Sequence, residues 1–503
     1  MKEMTNKAAD YITNNSLTTA AGGAEKAPGP AADVERPIFY SAIKKKRNDN
    51  GATSRNKPTT IMLETYGCTM NQADSDIMKG VLEGLGFRVL SPVAGVQFDK
   101  TRDPKLKTIS GQQEADVIIL NTCTVKGPTE NKIIERIRKL ETIRLKTGNP
   151  KLVLCGCMSA NIAKIRKYTS APIVWPGAIN RIGNAVEDAL EGRSTEYKEM
   201  CDKGTLPRVF TKPILRIGIA EGCTGTCTFC QTKLARPGLR SVKIPRIIEW
   251  MNEGISKGAK EIQLTAMDAG AYGLDIKSDL PSLLSCINNI EGDFLVRLGM
   301  INPEHVLRMK NQLIDAMKAK HIYKFLHIPV QSGSEKVVKE MRRKHTVAEF
   351  EQIVSEFRKA IPEITIATDI IVGYPSETQD DFSKTLNLLG RVRPDVVNLS
   401  KFSPRPGTKA KELGQLDNGV IKKRSVEASA LVKEILTENN KKYIGREVEV
   451  LITEKQKSFT GRTINYKQVV VKNFEGELGE KVKIKIVDAN HGSLFGFMNS
   501  SKK

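Results

Sequence analysis

The chain has 503 residues, 40% of them hydrophobic, which is too long for one ordinary domain and enough for two to four domains with real cores. Lys and Arg number 79 against 57 Asp and Glu, a net charge of +22 that points to a polyanionic partner, nucleic acid first. The N-terminal stretch has no apolar signal core and no run approaches the ~20 apolar residues of a membrane span, so a cytoplasmic, reducing setting without membrane partners is expected.

Residues 1–57 are rich in Ala, Asn, Gly, Pro and Lys and show no sustained periodicity, which predicts a disordered basic extension. The pattern changes at 58. "TTIMLETYGC", "ADVIILNTC", "PKLVLCGC" and "APIVWPG" read as four strands, separated by helical patterns such as "QADSDIMKGVLEGLG" and "TENKIIERIRKLETIRLK", with residues 94–113 as a loop insertion. Continuous apolar strands alternating with helices predict a parallel sheet covered on both faces, an α/β domain over 58–192. A polar link at about 192–208 leads to six more strand–helix units over 209–438, beginning at "PILRIGIAEGC" and ending at "VVNLSKFSP", which predict a partial (β/α)6 barrel. In the last segment, 441–500, "REVEVLITEK" and "EKVKIKIVD" alternate at period two between Gly-containing turns, the signature of a small antiparallel β-barrel.

Nine cysteines stand out in a reducing setting, where metal ligation or catalysis is commoner than disulfide formation. Cys223, Cys227 and Cys230 follow the first strand of the second series, where α/β architectures place their ligands. Their Cys-x3-Cys-x2-Cys spacing lets three sulfurs face one point, and no fourth Cys or His follows nearby. Structural zinc wants four closed ligands, whereas an iron–sulfur cube on three thiolates keeps one iron open. Cys68, Cys123 and Cys157 each end a different predicted strand of the first sheet, so they can converge on one sheet edge as a second three-cysteine site. Gly67 and Gly156 beside them allow close approach to a bulky ligand. Strand alternation turns Cys155 to the opposite face, as core, and Cys201 and Cys286 read as incidental.

With these motifs in place, residues 58–500 resemble the radical S-adenosylmethionine methylthiotransferases. The resemblance is carried by "YGCTMNQADSD" (66–76), "NTC" (121–123), "GCM" (156–158) and "GCTGTCTFCQTKLAR" (222–236), with "GREVEVLITEK" and "HGSLFGFM" matching a tRNA-binding barrel of the TRAM type. "CQTKLAR", "RLGMINP", "FLHIPVQSGS" and "IATDIIVGYPSET" look most like the eukaryotic and archaeal branch. That branch acts on N6-threonylcarbamoyladenosine at tRNA position 37, in the anticodon loop. Two departures stand out: Pro237 where the family usually has Gly, and Met267 where an acidic or amide side chain is usual.

The resemblance implies two [4Fe–4S] clusters and S-adenosylmethionine. One cluster, on Cys223, Cys227 and Cys230, binds S-adenosylmethionine at its open iron and takes an electron from a one-electron donor protein. The other, on Cys68, Cys123 and Cys157, carries the sulfur that is methylated and inserted at adenine C2. Arg297, Gln331, Asp369 and Gly373 lie at or near the carboxyl ends of predicted barrel strands and are candidate S-adenosylmethionine contacts; Lys233 and Arg236 follow the cysteine loop. In the terminal barrel Lys455, Lys457, Arg462, Lys467 and Lys472 interleave with Phe459 and Tyr466, a pattern suited to phosphates and stacked bases. The competing readings are a methylthiotransferase for isopentenyladenosine-37 tRNA or a ribosomal protein, and a non-catalytic iron–sulfur RNA-binding protein.

Overall fold

The computed structural model describes residues 58–90, 115–125 and 127–498. The basic extension 1–57, the insertion at 94–113 and the last residues of the terminal segment lie outside them. The described residues belong to one compact unit.

Six parallel strands build the first sheet: β1 (Thr60–Thr65), β2 (Arg88–Leu90), β3 (Val117–Thr122), β4 (Lys151–Gly156), β5 (Ile173–Val174) and β6 (Glu196–Tyr197), in the order β2-β1-β3-β4-β5-β6. Every residue of β3 is buried, as its unbroken apolar run requires of a strand covered on both faces. The four predicted strands are β1, β3, β4 and β5. β2 and β6 are edge strands of three and two residues, too short to carry a period, and β6 falls in the stretch that reads as a linker.

The second series holds β7 (Ile214–Gly218), β8 (Ala220–Glu221), β9 (Arg240–Ser241), β10 (Glu261–Thr265), β11 (Leu295–Leu298), β12 (Phe325–His327), β13 (Thr365–Val372) and β14 (Val396–Lys401). Parallel sheets β11-β10-β7 and β12-β13-β14 meet at a parallel bridge from Val296 to Ile322. The predicted six strand–helix units are therefore present as a curved, partly open barrel. Its core includes Ile217, Leu264, Val296, Ile370 and Phe350, each at most 1% exposed; full burial of such side chains contributes about 1.5–3 kcal/mol apiece. Helices Val347–Ala360 and Gln379–Val392 open on capping boxes built from Thr346 with Glu349 and Thr378 with Asp381, each of which stabilises its helix by about 1 kcal/mol. The antiparallel pair β8–β9 brackets the cysteine loop.

The third element set closes a barrel from β15 (Glu447–Lys455), β16 (Phe459–Arg462), β17 (Gln468–Lys472), β18 (Lys481–Ala489) and β19 (Leu494–Met498), in the order β15-β16-β17-β19-β18. Period-two alternation puts Val450, Ile452, Val469, Val471, Ile484 and Ile486 inside. The expected all-antiparallel barrel needs one correction. β17 and β19 run parallel, because the last strand returns beside β17 to close the cylinder, a pairing that local periodicity cannot specify.

Candidate functional site

The loop that carries Cys223, Cys227 and Cys230 leaves β8 through Gly222, whose φ of +72° favours glycine. A side chain on Gly222 would strike the carbonyl of Gly238. Gly238 takes φ +71°, so the left-handed turn falls one residue after Pro237. The three thiols lie within electrostatic reach of one another. Burial pushes the Cys223 thiol up to about 11, with smaller contributions from Asp268, Cys227 and Cys230 that oppose the Gly225 N–H.

Cys68, Cys123 and Cys157 follow the carboxyl ends of β1, β3 and β4, which are adjacent strands. Cys68 is the N-cap residue of helix Thr69–Gly84, at the end where a helix dipole favours negative charge. Cys123 and Cys157 are buried beneath it. Gly67 has φ +103°, and a Cβ there would lie 2.7 Å from Cys123 Sγ. Burial pushes the Cys123 thiol up to about 12, with Cys157 and Cys68 adding to the effect. Cys155 is different: it faces the core, 3.6 Å from Met78 Sδ and from the Leu120 carbonyl.

The chemistry of the donor set separates five of these six sulfurs from the core thiol. N–H groups point at five of them: Gly225 N to Cys223 (3.2 Å), Arg343 Nη1 to Cys227 (3.4 Å), the Thr232 and Lys233 backbone to Cys230, Val125 N to Cys123 (3.5 Å) and Arg236 Nε to Cys157 (3.5 Å). Such donors suit thiolates, and desolvation would leave the thiols protonated unless a cationic centre compensated them. Among the described residues no group of three His, Cys, Asp or Glu side chains fits a single metal ion. Each set offers three thiol ligands, the number a [4Fe–4S] cluster with one open iron takes, whereas structural zinc closes four.

The two sets are joined through buried polar contacts. Thr124, next to Cys123, donates to Gln231, next to Cys230. Arg236, with 1% of its side chain exposed, pairs with Glu221 ahead of the cysteine loop and with Asp74 on the first domain's helix, 2.6 Å away. Lys203 bridges the same two acids at 2.6 and 2.8 Å. Asn71 accepts from Arg236 and donates to the Tyr66 and Thr122 carbonyls, beside Cys68 and Cys123.

Among the candidate S-adenosylmethionine contacts, Gln331 and Asp369 are neighbours, whereas Gly373, just past β13, gives its N–H to Glu377 and packs against Ile421. Asp369 accepts from Asn398 (2.8 Å) and pairs with His327 (2.9 Å), and Gln331 N donates to the Asp369 carbonyl. Gln331 holds φ +74° and Gly373 φ +79°. Arg297 goes elsewhere: its guanidinium lies over Phe325 and over Tyr466 of the terminal barrel, 5.2 and 5.4 Å from the ring centres. Strand-end reasoning misses a cluster that touches the loop directly. Arg343 binds Cys227, Asn302 Oδ1 (2.6 Å) and the Pro329 carbonyl. Asn302 in turn donates to the fully buried Asp268, which His305 also approaches. Asp268 directly follows Met267.

In the terminal barrel the structure corrects three of the seven RNA candidates. Lys467 is buried and pairs with Asp395 (2.9 Å). Tyr466 inserts between Tyr323 and Phe325 and donates to Glu261. Phe459 packs edge-on against Phe474 in the barrel core. Each serves docking or packing, a role that sequence cannot tell from base stacking. Lys455, Lys457 and Lys472 are exposed and Arg462 is partly so.

A Cys-x3-Cys-x2-Cys loop after the first barrel strand is what a radical S-adenosylmethionine enzyme carries, and the family comparison gives that class. Residues 217–389 match the Radical SAM superfamily, residues 98–171 the Uncharacterized protein family UPF0004 and residues 441–498 the TRAM domain. The chain is 39% identical over 447 residues to the probable threonylcarbamoyladenosine tRNA methylthiotransferase of Archaeoglobus fulgidus, covering 87% of this chain and 98% of that one. The Drosophila melanogaster threonylcarbamoyladenosine tRNA methylthiotransferase is 32% identical over 451 residues, 87% of this chain and 77% of that one. In fold, a structure of the radical S-adenosylmethionine methyltransferase TsrM from Kitasatospora setae, with tryptophan and a cofactor analogue bound, gives a TM-score of 0.50 at 14% identity, over 70% of this chain and 75% of that one. The chain belongs to the threonylcarbamoyladenosine tRNA methylthiotransferase family. Its cofactors are S-adenosylmethionine and [4Fe–4S] clusters. No described helix is long and apolar enough to cross a membrane.

Proposed function

We propose that this protein converts N6-threonylcarbamoyladenosine at position 37 of tRNA to its 2-methylthio derivative, in the cytoplasm, with electrons from a one-electron donor protein. Cys223, Cys227 and Cys230 would hold the radical-generating cluster, and Cys68, Cys123 and Cys157 the auxiliary one. The observation that carries the reading is the junction between the sets, where Arg236 from the radical loop meets Cys157. A non-catalytic protein has no need to bring two open three-ligand sets together. The division of labour follows 58–192 for the auxiliary site, 209–438 for the radical site and 441–500 for tRNA.

When bound, the clusters and S-adenosylmethionine supply the C–H activation, the sulfur and the methyl group. The protein's own part is to hold and orient. Arg343 donates to Cys227 and braces Asn302, and Asp268 fixes Asn302 from the other side. Gln331 and Asp369 would offer polar edges for the cofactor, and Gly373 would shape the turn after β13. Exposed Lys455, Lys457 and Lys472 would meet tRNA phosphates. Buried Thr124, Gln231 and Arg236 keep water out of the junction.

The test is nucleoside mass spectrometry of tRNA from cells with and without the gene. Loss of the methylthio mark from threonylcarbamoyladenosine supports the assignment. Loss from isopentenyladenosine, or from a ribosomal protein with tRNA unchanged, overturns it.

A further inference from the structure

We infer that Arg236 is a positioning residue for the auxiliary cysteine set: its guanidinium fixes Cys157 relative to the radical loop and tunes the auxiliary cluster through an N–H···S contact. This rests on the cluster reading proposed above. Arg236 ends the short helix Thr232–Ala235, six residues after Cys230, and its backbone is pinned by a bond to the Thr232 carbonyl. All of its donors are spent inside the protein. Nη1 binds the Glu221 carboxylate, two residues before Cys223. Nη2 binds Asp74 Oδ2 (2.6 Å) and Asn71 Oδ1 (3.0 Å). Nε is left facing Cys157 Sγ at 3.5 Å.

One planar group thus links Cys157 to Glu221, which leads into the radical loop. Its reach extends to the whole auxiliary set, because Asn71 Nδ2 holds the carbonyls of Tyr66 (2.8 Å) and Thr122 (2.7 Å), which flank Cys68 and Cys123. The rigid fork of Arg suits this task, and the point charge of Lys does not. Asp74, Glu221, Lys203 and Arg236 balance as two anions and two cations, so the network is neutral and Cys157 adds the unmatched negative ligand. An N–H donor to a ligand sulfur favours the electron-rich reduced cluster and raises its potential.

The experiment uses the full chain with Cys223, Cys227 and Cys230 replaced by Ala, so that only the auxiliary set can take a cluster, loaded anaerobically with iron and sulfide. Electron paramagnetic resonance follows a redox titration. Arg236→Met combined with Glu221→Gln removes the donor without changing net charge and leaves Lys203 to compensate Asp74; Arg236→Lys is the conservative companion. Both are expected to retain about four irons per chain. In the double variant the reduced-to-oxidised ratio at fixed potential should fall at least tenfold, about 59 mV for one electron, and in Arg236→Lys by a smaller factor. If the double variant takes up no iron, Arg236→Lys alone decides. Iron retained with an unchanged potential overturns the inference. A parent triple-Ala chain that takes up no cluster overturns the underlying assignment of Cys68, Cys123 and Cys157 instead.

Discussion

Arg236 Nε stands 3.5 Å from Cys157 Sγ, so a side chain carried by the radical loop reaches a cysteine of the neighbouring sheet. The contact is paid for by burying an arginine, which is tolerable because Asp74 and Glu221 meet it with charge-assisted bonds. Together with the Thr124–Gln231 bond, it makes the two cysteine sites parts of one polar interface rather than two independent centres.

Exposed lysines of the terminal barrel should act on tRNA through charge. Replacing Lys455, Lys457 and Lys472 by Ala should weaken tRNA binding and lower the slope of log affinity against log salt by about one per lysine that contacts phosphate, with the melting temperature unchanged. Lys467→Ala should do the reverse. It strips a buried partner from Asp395, costs about 3–5 kcal/mol of stability and leaves the salt slope alone. Filter binding at several salt concentrations, with thermal melts, separates the two outcomes.

Tyr466 should anchor the terminal barrel to the central one. Its ring lies 4.8 Å from Tyr323 and 5.0 Å from Phe325, with its hydroxyl on Glu261. Tyr466→Ala should cost about 3–5 kcal/mol at that interface and speed proteolytic cleavage near residues 441–446. An unchanged cleavage rate would show that docking rests on the Lys467–Asp395 pair instead.

His345 should make the central barrel acid-sensitive. Burial, with Arg343 beside it, lowers the His345 imidazole to about 3. Unfolded histidine takes up a proton below about 6.5 while the folded ring stays neutral, so acid favours the unfolded chain. Its contribution is complete above pH 6.5 and declines as pH falls towards 3, by about 1.4 kcal/mol per unit. The difference in denaturant midpoint between the parent and His345→Phe should therefore grow on acidification and be constant above neutrality.

The strand-end cysteines were readable because each closes an apolar run, and Gly67 and Gly156 mark the turns beside them. The six barrel strands were readable for the same reason. Short edge strands β2 and β6 carry no period, and the parallel β17–β19 pairing is a long-range closure. Tyr466, Lys467 and Phe459 look like RNA contacts in sequence because composition does not say which face meets a neighbouring domain. Arg343 and Asn302 carry no local signal for a related reason: Arg343 is 116 residues from its partner Cys227, and Asn302 joins the loop only through Arg343. Arg297 stands one residue before the end of β11, yet it turns to the terminal barrel's Tyr466.

The most direct measurement is a product assay on the purified, anaerobically reconstituted chain with dithionite, S-adenosylmethionine and tRNA bearing N6-threonylcarbamoyladenosine at position 37. The parent should form the 2-methylthio nucleoside. The variant with Cys68, Cys123 and Cys157 replaced by Ala should still cleave S-adenosylmethionine but form none, and Cys227→Ala should do neither. Methylthio product from the first variant, or its absence from the parent at full iron loading, would contradict the account.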